Sequence, residues 1–561
     1  MDRLERHLLE VSDPKHRRYG KHLSVAEVHE LMKPANDTFT LVHEWLADND
    51  IHPSRLNYSP AKDWINMKLP VSTVERMLDA EYFVFKHEHG HQVVRAPKWS
   101  LPIHLHNHVD VIQPTTSFMK HHSSISTSFS GTSKDKRRNV YPANFPQPST
   151  SHAGKIMQAC GGSAVTSLCL RTLYGTADYM PSSMSGNLIG MANYGGEASN
   201  ISDINLYMRQ YRPDAYETLR RGSYIKFESV NGGENLQRQR SKQDLSLKKG
   251  QTGDLVAQTI LGITSLKPLT VYSTAGISPW YQPDQAHPYN LNEPFLKWAL
   301  YVIAQPLPPS VIVTAYSDDE QTVPINYARR VCGDFMALGA RGVSMIFSSG
   351  DNGVGQSSYC SSNDGNQSPE FVPMFPASCP WVTTVGATKC FFPESVAGDG
   401  NSGLASGGGF SKYFIQPQFQ KAAIAAYLQR LGNEHEGMFN PEGRGYPDIS
   451  AQGMGIASIW NGQELIEDGT AAAAATAGAI FALVNDARLR NGLGVLGFLN
   501  PLLYTGLGNS FNDVIKGSTT GCGGRGFSAS VGWDPASGWG TPNFPKICYV
   551  VTNSSVCGYV P

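Results

Sequence analysis

An α/β fold is the class this sequence predicts, and three observations predict it. Apolar runs at 187–194 (NLIGMANY), 269–274 (LTVYST), 310–317 (SVIVTAYS), 342–350 (GVSMIFSSG) and 381–388 (WVTTVGAT) have the near-continuous hydrophobicity of buried parallel strands. Helical stretches alternate with them, as in INYARRVCGDFMALGARG at 325–342. The chain has 561 residues, too many for one compact domain, so two or more units are expected. In such a layout ligands sit beyond the C-terminal ends of the strands.

The elements follow in order. SVAEVHELMKP (24–34) is amphipathic, opens on a serine cap and stops at a proline. TVERMLDAEYFVFKHEHGHQVVRA (73–96) reads as a helix and then strands. Residues 1–111 therefore form a small α+β unit. Residues 112–155 are rich in Ser, Thr, Pro and Lys and mark an exposed, cleavable linker. The α/β pattern occupies 156–561, and its last fifty residues read as Gly-rich and irregular. No internal repeat stands out.

Charge is balanced, with 46 basic and 47 acidic residues, which gives no sign of a nucleic-acid partner or a polybasic membrane surface. No apolar run reads as a bilayer span. Of nine cysteines, Cys160 with Cys169 and Cys548 with Cys557 have the spacing of short disulfide loops, and the odd total leaves a thiol over. Asn-x-Ser/Thr sites at Asn36, Asn57, Asn200, Asn366 and Asn553 lean towards a secretory history. Against that, MDRLERHLLEVSDP carries charges throughout and does not read as a signal peptide, so either the protein stays inside or its N-terminus lies upstream. The histidine patches HEHGH (87–91) and HLHNH (104–108) offer imidazoles to a metal, but surface or packing histidines are the plainer reading.

The motifs with chemistry come late in the chain. SSGDNGVG (348–355) places Asp351 after an apolar strand, where active sites sit in open α/β sheets. SGGGFSKYF (406–414) is a glycine loop that lets a peptide backbone approach. GYPDISAQG (445–453), DGTAAAAATAGAI (468–480), FNDVIKG (511–517) and SASVGWDPASGWGTPNF (528–544) follow. Together with VSDPKHRRYGKHLSVAEVHELMKP and PTTSF (114–118) in the N-terminal part, these blocks resemble the sedolisins, or serine-carboxyl peptidases. Within them the likeness is to the fungal tripeptidyl-peptidase-like group, and it covers nearly the whole chain. It implies a subtilisin-like, mostly parallel sheet flanked by helices, preceded by a propeptide over 1–111.

The resemblance also implies chemistry. The family uses a Ser nucleophile, a Glu base, an Asp that orients the Glu, and a second Asp in the oxyanion hole. Carboxylates replace the histidine of ordinary triads, so the chemistry runs in acid, and the oxyanion Asp donates only when protonated. Asp351 matches the oxyanion Asp. Ala471 stands at the Ser of the Gly-Thr-Ser block. Aligning QTGDLVAQTI (251–260) through Leu255 and Gln258 puts Thr252 at the Glu and Val256 at the orienting Asp. Asp254 is two positions from each, about 200° round a helix, and so points away. Glu234, Asp244, Thr470 and Thr476 are the other nearby candidates to stand in. Losing nucleophile or base removes about a million-fold of rate, leaving roughly 10³–10⁴-fold over water. The expectation is an inactive peptidase homologue that binds peptides, the alternative an active acid peptidase with a displaced catalytic set.

The family also holds a Ca²⁺ near its C-terminus. By position the ligands are Asp513 and Asp534 with the carbonyls of Val514, Ser530 and Gly532, hard oxygens of the kind Ca²⁺ takes. Asp often does no more than cap a turn, but with both carboxylates and the surrounding glycines kept, a retained Ca²⁺ site is the expectation. The partners implied are peptides or protein substrates in the cleft and the chain's own propeptide, which stays docked over the cleft when self-cleavage fails. The implied location is extracellular or vacuolar.

Overall fold

The computed structural model describes residues 2–86, 92–113, 115, 152–182, 186–221, 224–265, 267–278, 281–284, 286–287, 290–356, 360–398 and 403–558. The patch 87–91, most of PTTSF and the linker over 116–151 lie outside these residues.

The N-terminal unit begins with α1 (Asp2–Ser12) and α2 (Val25–Met32). Ser24 caps α2 in a reciprocal box with Glu27, as the sequence predicts. A helix at Val71–Leu78 and a hairpin, Phe83–Lys86 with Gln92–Arg95, realise the helix-then-strands reading. Two cores divide this unit. Leu46, Ile51, Leu56, Met77 and Leu78 form a cluster of their own. Leu4, Leu8, Leu23, Val28 and Met32 instead belong to the main core of the α/β domain.

That domain is built on an eight-stranded sheet: β1 (Ile189–Asn193), β2 (Ile225–Val230), β3 (Leu269–Thr274), β4 (Val311–Thr314), β5 (Ser344–Ser348), β6 (Thr383–Lys389), β7 (Ser395–Val396) and β8 (Ile449–Gln452). The order β2-β3-β1-β4-β5-β6 is parallel throughout, and β8 lies parallel beside β6. Only the two-residue β7 runs antiparallel. The order reverses at β1, which places the crevice of the fold at the C-terminal ends of the central strands. All five sequence-predicted strands appear within a few residues of their expected bounds.

Three helices position the site. They are α3 (Gln251–Thr264), α4 (Ile325–Ala340) and α5 (Thr470–Arg490). Every residue of α3 is buried, and α3 packs along α5. Contrary to the sequence reading, α5 is long and apolar enough to cross a bilayer, with a mean hydropathy of 1.3. It is buried from Thr470 to Arg488 instead, as a helix of the core. The last fifty residues are also more regular than expected, since Phe544–Thr552 forms a helix. The helix His152–Cys160 likewise starts inside the expected linker.

The N-terminal unit docks on the outer side of α4. Leu23 N–H donates to the Ala340 carbonyl at 2.8 Å, Arg330 pairs with Asp63, and a Cβ at Gly339 would meet Leu8 Cδ1 at 3.1 Å. His22 wedges between Gly342 and Gly497 and bonds the Val495 carbonyl at 3.0 Å. Four disulfides tie the rest: Cys160–Cys169 and Cys548–Cys557, as the spacing suggests, and Cys332–Cys379 and Cys360–Cys522. Cys390 is the leftover thiol.

Candidate functional site

The loop after β5 carries Asp351 to the start of α5. Gly469, at the helix N-cap, makes no side-chain cap. Asp351 fills that role from a different strand: its Oδ1 accepts the Thr470 N–H at 2.8 Å and the Thr470 hydroxyl at 2.7 Å. Burial pushes the Asp351 carboxyl above its ordinary range, and Asp468 adds to the push. Ala471 follows Thr470 directly and is buried.

The glycine loop serves the site differently from the expectation. A Cβ at Gly407 would run into the Ser349 backbone, and Gly407 N–H donates to the Gly350 carbonyl at 2.8 Å. The backbone that approaches this loop is the chain's own, and the contact fixes the Ser349–Asp351 turn.

Thr252 and Val256 lie on α3, both buried. The opposite face of α3 carries Asp254 and Gln258. Asp254 accepts the Asn200 N–H at 2.6 Å and pairs with Arg240 at 2.6 Å; Arg240 also pairs with Asp203 at 2.8 Å. Gln258 exchanges two hydrogen bonds with Ile459, at 2.7 Å each. At about 100° per residue these groups lie roughly opposite Thr252 and Val256. The other candidate stand-ins are also engaged. Glu234 pairs with Lys249 at 2.6 Å, and Asp244 with Arg238 at 2.7 Å while closing a capping box with Ser241. Thr476 is buried without a hydrogen-bond partner, about 500° along α5 from Ala471, which puts it on another face.

Three further acids converge here that sequence reasoning did not single out. Glu197 follows β1, Glu293 lies in the loop after β3, and Asp318 follows β4. Glu197 accepts the N–H groups of Gly250 and Gly253 at 3.1 and 3.3 Å, at the N-terminus of α3; burial nevertheless pushes it up to about 7. Gly253 is required by this arrangement, because a Cβ there would lie 2.8 Å from the Ala198 carbonyl oxygen. Glu293 lines a pocket with Asp351, Tyr316 and Thr470. For Glu197 and Asp318 the signal available was position alone, since each sits just past a predicted strand; Glu293 lies 19 residues beyond the strand that ends at Thr274 and carried no such signal. Nearby, His287 lies 3.2 Å from both Asp284 and Asp319. Burial would lower its pKa, but the two carboxylates prevail and hold it at about 10, an imidazolium locking the loop. Of the patch 104–108, His106 bonds the Leu101 carbonyl and His108 the Thr38 hydroxyl, which is packing.

The segment 511–538 gathers the remaining expected residues. Asp513 Oδ2 accepts the Gly532 N–H at 2.8 Å, and Asp534 Oδ2 accepts the Ser530 N–H at 2.8 Å. Asp534 Oδ1 takes Ala536 N–H, Ser537 N–H and the Ser537 hydroxyl at 2.9–3.0 Å; that hydroxyl also lies 3.2 Å from the Val514 carbonyl oxygen. Asp534 is fully buried and has no ion pair among the described residues, and burial pushes it up to about 7. Two carboxylates on one segment, one of them buried with no ion pair among the described residues and sharing the Ser537 hydroxyl with the Val514 carbonyl, are hard oxygen donors of the kind a divalent cation takes.

Comparison with known proteins adds the following. Residues 1–118 match the family described as pro-kumamolisin, activation domain. The chain is 35% identical over 565 residues to tripeptidyl-peptidase SED2 of Arthroderma otae, covering 97% of this chain and 89% of that protein. It is 35% identical over 571 residues to a probable tripeptidyl-peptidase SED3 of Arthroderma benhamiae, covering 98% and 89%. Among solved structures, Pseudomonas sedolisin (serine-carboxyl proteinase) complexed with two molecules of pseudo-iodotyrostatin aligns over 69% of this chain and 97% of that one, at 21% identity and a TM-score of 0.49.

Proposed function

Because the chain belongs to the sedolisin family of serine-carboxyl tripeptidyl peptidases, we propose that it is a family member that binds peptides and does not cleave them. One observation carries this reading. Asp254, the single acid of α3, is locked to Arg240 and Asn200 on the face opposite Thr252 and Val256. With Ala471 at the nucleophile position and Thr252 and Val256 at the two acid positions, the reading leaves the site without the family's serine and without its helix carboxylates. Without self-cleavage the N-terminal unit stays attached, held by the core residues it shares with the larger domain.

The test is an acid peptidase assay on the full chain at about pH 3–5, the range in which carboxylates titrate. The native chain is expected to release no tripeptides and to leave its own linker intact. The triple variant Thr252→Glu, Val256→Asp, Ala471→Ser is expected to be at least about 10³-fold more active, since a triad is worth far more than that. Native activity comparable to the variant's would sink the reading.

A displaced catalytic set is the second reading. It has one observation behind it, the Thr470 hydroxyl that donates to Asp351. It requires tripeptide release by the native chain that Thr470→Val abolishes.

The same reading assigns Ca²⁺ to Asp513, Asp534 and the carbonyls of Val514, Ser530 and Gly532. Bound there, the ion supplies the positive charge that the buried Asp534 lacks. Four disulfides support passage through an oxidising compartment, and hence an extracellular or vacuolar location.

A further inference from the structure

Four carboxylic acids follow the C-terminal ends of the four central strands: Glu197 after β1, Glu293 after β3, Asp318 after β4 and Asp351 after β5. Three of them have partners that account for them. Glu197 takes two helix N–H groups, Asp318 takes the Glu293 N–H at 3.1 Å, and Asp351 takes the N–H and hydroxyl of Thr470. Glu293 is the exception. It is 9% exposed, and no hydrogen bond or ion pair among the described residues reaches its carboxylate. It lines the same pocket as Asp351, and none of the residues lining that pocket is cationic.

A carboxylate withdrawn from water with nothing to compensate it is stable only as the neutral acid or beside a cation. Asp318 and Glu197 act on Glu293 as like-charged neighbours, which with burial keeps the acid protonated until a cation enters, and the pocket walls offer an entering cation acids and no competing positive charge. We propose that Glu293 is the recognition group of a cation subsite in the cleft, which takes the ammonium or guanidinium group of a peptide lying beside Asp351. This rests on the peptide-binding reading above and adds the chemical class of peptide. Burial, Asp318 and Glu197 push the Glu293 carboxyl up, so a cation entering the subsite displaces a proton and binds more tightly as the pH rises.

The two sources of such a cation, a free N-terminus and a Lys or Arg side chain, are separable. Isothermal titration of the full chain uses matched alanine-based pentapeptides. Each carries one Lys or its neutral isostere norleucine at successive positions, with the N-terminus free or acetylated. Removing one particular positive charge is expected to weaken binding by about tenfold or more, as for a desolvated charge pair. Loss on acetylation identifies the N-terminal ammonium; loss at one Lys position identifies a side chain. Glu293→Gln is expected to bring cationic and neutral peptides within about twofold, and Glu293→Asp to keep a reduced preference. The comparison among peptides on the native chain stands even where a variant does not fold. Peptides that bind equally with and without charge, or a preference that survives Glu293→Gln, overturn the subsite and leave peptide binding intact. Absence of binding by every peptide overturns both.

Discussion

The helix pair α3–α5 and the segment 511–538 belong to one domain and are held by opposite means. In the helix pair, Ala471–Ala475, Val256, Ala257 and Ile260 are buried without polar work to do, and small apolar side chains let two helices approach closely. Asp254 and Gln258 of α3 face the other way. In 511–538 the backbone turns through Gly517, Gly521, Gly523, Gly532 and Gly538 at positive φ, and carboxylate-to-amide bonds hold it. Exchanging a catalytic side chain for Ala or Val in the first region leaves good core residues behind. Removing a carboxylate from the second removes what holds it. Catalysis can therefore be lost from this fold without loss of the fold, whereas the carboxylates of 511–538 cannot be lost so easily.

The largest stability effect is expected on the polar side of α3. Asp254→Ala leaves Arg240 buried with half its charge compensation and frees the Asn200 N–H. Breaking a buried pair of this kind costs about 3–5 kcal/mol, read as a fall in the denaturation midpoint. Arg240 keeps Asp203, so the lower end of that range is expected. A cost below about 1 kcal/mol, the level of an exposed pair, would show that Asp254 is not anchored as described and would reopen it as a base.

This network marks the limit of what the sequence discloses. Strands such as 342–350 and 381–388 were legible because a strand buried on both faces must be apolar along its length. Asp254 could be excluded from the cleft by helix geometry alone, but not assigned to Arg240, which reaches it from a separate segment. Cys160–Cys169 was readable from a spacing of nine; Cys360–Cys522 spans 162 residues and depends on the tertiary fold. Glu293 carries no motif, and its character comes wholly from burial beside Asp318 and Glu197. The helix α5 escaped notice as a candidate span because its apolar residues are mostly alanines, which are weakly hydrophobic one by one.

Calcium removal tests the other half of the comparison. Chelation is expected to lower the thermal midpoint, and added Ca²⁺ to restore it. At a free concentration a hundred times Kd, ligand binding contributes about 2.7 kcal/mol. Asp534→Asn is expected to be less stable than the native chain in Ca²⁺ and to respond to chelator hardly at all. An unchanged midpoint in chelator would leave Asp513 and Asp534 as turn caps and nothing more.

The smallest effect falls on Asp351, the acid that this reading leaves without catalytic work. Its retention has a physical reason independent of chemistry, because it caps α5 from outside the helix. Asp351→Ala removes both bonds to Thr470 and is expected to cost about 1–2 kcal/mol, the worth of an N-cap. Asp351→Asn keeps an acceptor oxygen and removes the charge. The folded carboxyl is raised above its ordinary value by burial, so its proton is held more tightly in the folded state. That contribution is complete below the ordinary carboxyl range and is lost as the pH rises through the folded value. The Asn variant should therefore match the native chain near pH 4 and equal or exceed it at pH 7, while the Ala variant stays below both. An Asn variant that loses stability at both pH values would mean that the ionised carboxylate itself is what α5 needs, and the helix pair would then depend on charge as the C-terminal segment does.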